Sequence, residues 1–168
     1  MKRRLTLLTL TTLAAVALIG VVSRAPSPAL AEGATQISGI AVFDELGTCD
    51  DPEGEGADFA LIMDGDGDLD GCLYTFVETA ESSPSGTYRE TGTELFVASD
   101  GVSMFETTYR VEAKFEDVDN LAGTIFERCQ HPIVEGSGTG IFEGVSGHLF
   151  IRADVEAGNY LYKGHLQY

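Results

Sequence analysis

The chain has 168 residues and sets 10 Lys and Arg against 27 Asp and Glu, a formal net charge of −17. That balance repels nucleic acid and anionic lipid surfaces and excludes both as partners. The chain is long enough to bury one real core.

Residues 1–31 read as a secretory signal peptide. Lys2, Arg3 and Arg4 form a basic start, an apolar run follows to Val22, and Ala29-Leu30-Ala31 fits the small-x-small cleavage rule. A single membrane span is the competing reading, but Pro26, Pro28 and the cleavage site favour removal, which leaves no membrane attachment. Cleavage leaves residues 32–168. With Lys2, Arg3, Arg4 and Arg24 gone, that domain carries 6 basic residues against 27 acidic ones, a balance of −21.

After the leader the pattern has period two, with turn clusters at short intervals, the sign of a sandwich or barrel. The alternation predicts strands over 36–43, 58–63, 73–80, 86–99, 104–115, 123–133, 148–155 and 159–167. The segment 104–115 is the clearest. Phe105, Thr107, Tyr109, Val111, Ala113 and Phe115 fall on one face for the core, and charged or polar residues dominate the other. Asp100-Gly101 and Ala157-Gly158 suit tight turns. Eight antiparallel strands can close into a barrel and so remove their exposed edges. The fold class is all-β, a single antiparallel eight-stranded barrel. The acidic loop 45–56 is expected to be the most mobile part of the domain.

Three cysteines remain: Cys49, Cys72 and Cys129. Cys129 alternates with Ile125 and Ile133 and reads as a buried thiol, so the favoured disulfide is Cys49–Cys72. In a plain up-and-down order those two positions fall at opposite ends of the sheet. The bond therefore requires the loop after the first strand to fold back.

The run Gly138-Thr139-Gly140-Ile141-Phe142-Glu143-Gly144-Val145-Ser146-Gly147 resembles the glycine-rich C-terminal signature of the allene oxide cyclase and dirigent barrel proteins. Glycines spaced this way also mark a bulge, a barrel bend or a close approach of backbones, and point to a strongly bent sheet. The resemblance implies an eight-stranded barrel with an apolar cavity, often assembled as a homo-oligomer. It implies cofactor-free cyclisation of a fatty-acid epoxide, or guidance of phenolic coupling. It assigns no catalytic residue here, because the shared glycines shape backbone and do not react.

Candidate chemistry is sparse. Asp64, Asp66, Asp68 and Asp70 open like a calcium loop, but Val77 stands where the bidentate closing ligand belongs; an acidic hairpin turn is the preferred reading, with Ca²⁺ as the only cofactor in view. Glu127, Cys129 and His131 share one strand face. Turned inward, Glu127 and His131 would be an acid–base pair in an apolar cavity; the preferred reading reverses the strand at a bulge and leaves both in water. His148 and His165 are expected on the outer face. Tyr74, Tyr109 and Phe105 are candidate ligand-lining aromatics, although ordinary core packing is the preferred reading. Two functions follow. One is a secreted barrel that binds a small hydrophobic or phenolic molecule and steers its cyclisation or coupling. The other is a non-catalytic extracellular module with acidic loops.

Overall fold

The computed structural model describes residues 33–49, 56–154 and 157–168. Residues 1–32, and residues 50–55 of the acidic loop, lie outside the described residues, and so do the expectations of a signal peptide and of loop mobility placed on them. The barrel lies within the unit Ala31–Tyr168.

Alternating side chains give eight strands: β1 (Thr35–Phe43), β2 (Phe59–Met63), β3 (Gly71–Ser82), β4 (Thr87–Ala98), β5 (Met104–Asp117), β6 (Ala122–Pro132), β7 (Ser146–Asp154) and β8 (Asn159–Gln167). Each end falls within two residues of its sequence-predicted position. Every strand pairs antiparallel with its chain neighbour, and β1 pairs with β8 to close the barrel. The closure is uneven, since β6 and β7 pair only at His131↔Leu149 and Pro132↔His148.

The barrel interior is filled unevenly along its axis. Phe96 of β4 and Phe105 of β5 pack against each other and against Phe142, with ring centroids 5.0 to 5.7 Å apart. Phe142 belongs to the glycine-rich run, which up to Val145 lies between two strands and is not itself part of the bent sheet. Residues 133–145 form the β6–β7 connection, which crosses one end of the barrel and carries a short 3₁₀ turn, Gly140–Phe142. The connection is tied to the start of β5: Thr139 N–H donates to the Met104 carbonyl, and Ile141 N–H to Ser103 Oγ. Any side chain at Gly138 would overlap the Phe142 carbonyl oxygen. The glycines therefore let a plug lie flat against the barrel end, and Phe142 seals it.

A second, smaller apolar cluster lies outside the wall. Tyr74, Leu95 and Val97 are buried there beneath Cys49 and Ala57. The loop after β1 does fold back, and the Cys49–Cys72 disulfide fastens it, with Cα atoms 5.9 Å apart. Asp44 fixes the start of that loop by accepting the N–H groups of Thr48 and Cys49. Cys129 remains a free thiol.

Candidate functional site

The end of the barrel opposite the plug holds a cavity of about 100 Å³. Register explains its chemistry. The β4–β5 pairing sets Glu94 opposite Thr107 and Gly92 opposite Tyr109. The β5–β6 pairing sets Val111 opposite Cys129 and Ala113 opposite Glu127. Two residues further along β6, His131 reaches Tyr109, and the two rings stack with centroids 6.1 Å apart.

The floor of the cavity is a buried polar triad. His131 Nδ1 lies 2.7 Å from Glu94 Oε2, and Thr107 Oγ1 donates to the same oxygen at 2.6 Å. Both side chains of the His131–Glu94 pair are only 4% exposed. In the neutral imidazole, a carboxylate accepting at Nδ1 holds the proton on that nitrogen and leaves Nε2 as an acceptor. Among the described residues His131 Nε2 has no hydrogen-bond partner, and neither has Thr75 Oγ1, which also lines the cavity. A buried polar atom without a partner is destabilising, so two on one cavity wall mark where an occupant's polar group fits.

A second network lies nearer the mouth. Glu90 accepts from the hydroxyls of Tyr88 and Tyr109, the latter at 2.8 Å. Burial, then the bond to Glu90, pushes both phenols far above the ordinary tyrosine range. They are fixed donors, not bases. Burial, then the charges of Glu94, Glu127 and Glu90, likewise pushes the Cys129 thiol up. It stays protonated at neutral pH, which removes it as a nucleophile.

Glu127, Cys129 and His131 all line the cavity, so the preferred expectation of a reversed strand is corrected. A bulge does exist, but its register shift falls at Lys114/Phe115, beyond Glu127. It turns Ile125 out to 60% exposure instead. His131 takes Glu94 as its carboxylate partner at 2.7 Å, a residue that the strand pattern did not single out. Glu127 stands nearer the mouth, where burial holds its carboxyl above the usual range against a backbone bond from Ala153 and the charge of Arg152.

That direction carries a prediction. A carboxyl whose folded value is raised stabilises the fold fully at low pH, and the contribution is lost as pH rises through the folded value. Glu127→Gln is always neutral. It should melt above wild type at neutral pH, with the difference gone below about pH 4. Thermal unfolding at both pH values checks this, and equal melting at neutral pH would contradict it.

The remaining candidates separate. Tyr109 lines the cavity, Phe105 packs in the plugged end, and Tyr74 lies outside the wall under the loop, which removes it from any interior ligand. Asp64, Asp66, Asp68 and Asp70 sit in the β2–β3 connection and bond in different directions. Asp68 accepts from Ser38 N–H at 2.6 Å, Asp70 from Ser99 Oγ at 2.7 Å, and Asp64 from Asp66 N–H at 3.2 Å. Among the described residues no three His, Cys, Asp or Glu side chains converge as a metal site. His148 packs its ring on Phe150 at 4.4 Å, and burial lowers its pKa.

Gly92 makes the site possible. A Cβ there would overlap the Phe76 carbonyl oxygen and stand 2.6 Å from Tyr109 Cε1. Gly92→Ala should destabilise by about 1–3 kcal/mol through overpacking and displace the Tyr109 ring. Urea unfolding and the tyrosine near-ultraviolet dichroism check both effects; an unchanged spectrum would mean that the ring does not depend on this glycine.

Compared with protein-family models, curated proteins and solved structures, the chain shows no match, and its function has to be argued from the chemistry of this cavity.

Proposed function

We propose that this protein is an exported barrel of the allene oxide cyclase and dirigent type that takes one small molecule into its open end and moves a proton on it. The observation that carries the reading is the buried Glu94–His131 pair, whose Nε2 has no partner at the floor of the cavity. The Cys49–Cys72 bond suits an oxidising, extracytoplasmic compartment. The closed eight-stranded barrel and the glycine-rich run 138–147 support the family reading.

Size and lining define the ligand class. The cavity of about 100 Å³ is smaller than the roughly 300–1,000 Å³ of drug-sized sites. Its occupant is a small molecule, or inserts one ring or one end. The wall toward the mouth is apolar, with Phe43, Phe59, Val111 and Tyr160. The ligand accordingly has an apolar body and a hydrogen-bond-donating head, a phenolic hydroxyl or an amine, that reaches Nε2.

His131 accepts the proton leaving that head. The imidazolium so formed is neutralised by Glu94, and Thr107 holds Glu94 in place, the usual division between a base and the group that orients it. Titration with 4-methylphenol, followed through amide chemical shifts, tests the pocket. Shifts should cluster on Thr75, Tyr109 and His131, and His131→Phe should remove them. Shifts confined to the outer wall would defeat the reading.

A further inference from the structure

Resting on that proposed reading, the lining goes on to discriminate between the two kinds of donor head. Among the described residues, the ionisable side chains facing the cavity include three carboxylates, Glu90, Glu94 and Glu127, and no lysine or arginine. Arg152, whose charge reaches Glu127, projects from the exposed outer face of β7. An anion entering the cavity would meet three acidic side chains and no facing cation.

Hydrogen-bonding capacity points the same way. The strong donors are already committed: Tyr88 and Tyr109 to Glu90, and Thr107 to Glu94. What remains unpartnered is His131 Nε2, an acceptor in the tautomer that Glu94 selects, and Thr75 Oγ1. Both residues are buried, at 3% and 1% exposure. An ammonium group carries three donors and no acceptor, and so complements such a wall.

The mouth adds an independent feature. Phe43 stacks at a tilt on Phe59, with centroids 5.4 Å apart, and meets Tyr160 edge-on at 5.2 Å. The three rings line the entrance at steep mutual angles, 57° and 75°. Angled aromatic faces beside carboxylates attract cations through the ring quadrupole. A neutral apolar ligand would gain from the rings but not from the carboxylates.

We infer that the cavity selects a small organic cation, a protonated amine on an apolar body, over neutral and anionic molecules of the same shape. Glu127, half-buried near the mouth, and the three rings provide the selection, and the acceptors on the floor receive the N–H groups.

Benzylamine, 4-methylphenol and benzoate share a ring and differ in charge, so calorimetric titration of the full exported domain with each is the test. Benzylamine should bind about tenfold tighter than 4-methylphenol, a difference of about 1.4 kcal/mol, and benzoate should not bind. Glu127→Gln should narrow the preference for benzylamine over 4-methylphenol, whatever it does to either affinity alone, and an undiminished preference would overturn the selection. If 4-methylphenol binds as tightly as benzylamine and His131→Phe abolishes it, cation selection falls and the donor-headed pocket stands. If benzoate binds best, or none of the three binds at millimolar concentration, both fall together.

Discussion

Replacing the whole buried triad should leave the protein as stable as before, while replacing one member should not. Glu94→Met alone removes the acceptor of two buried groups, Thr107 Oγ1 and His131 Nδ1, and is expected to destabilise by about 3 kcal/mol. The triple variant Glu94→Met, Thr107→Val, His131→Phe fills the same space with apolar side chains. By precedent for buried polar clusters it should match wild type or exceed it by about 1–4 kcal/mol. It should also lose 4-methylphenol and benzylamine binding altogether. Urea unfolding of the three proteins, read beside ligand titration, checks the pair of outcomes. A triple variant as unstable as Glu94→Met would show that the network holds the barrel together. The proton-handling role would then lose its support.

The second large effect comes from the disulfide. Cys49 and Cys72 are 23 residues apart in sequence. Closing a loop of that length restricts the unfolded chain by about 3 kcal/mol in the chain-entropy model. Cys49→Ser/Cys72→Ser should lower stability by that amount, and reduction of wild type should match it. The loss should be confined to the outer cluster and the unfolded chain. The β4–β5 and β5–β6 registers that position Glu94 and His131 do not involve the loop, so ligand binding should persist in the folded variant. Equal unfolding midpoints for oxidised and reduced protein would show that the bond contributes no net stability.

The strands were legible in the sequence because their signal is local. Alternation in Phe105, Thr107, Tyr109 and Ala113 needs no knowledge of distant residues, and all four are buried as expected. Glu94 was harder to find. In β4 both faces carry apolar residues: Phe96 points into the barrel, while Leu95 and Val97 point outward and are buried under the loop. Judged by hydrophobicity, the glutamates of this strand look like a solvent face. A usable signal existed in the turn. A hairpin centred on Asp100-Gly101 pairs Glu94 with Thr107, and Thr107 was already on the core face. Tyr74 was misleading for the mirror-image reason, since a large aromatic can be buried outside a barrel wherever a loop covers it.

By itself the sequence determined the number of strands, their bounds, the acidic surface and the cysteine pairing, all of which depend on short-range pattern or on elimination among a few residues. Tertiary structure alone decided which face of β6 turned inward, that the glycine-rich run became a plug, and that Glu94 met His131. Those outcomes depend on register accumulated across three strands, where a slip of one residue would exchange inside for outside. Charge and hydrophobicity along the chain carry no record of that sum.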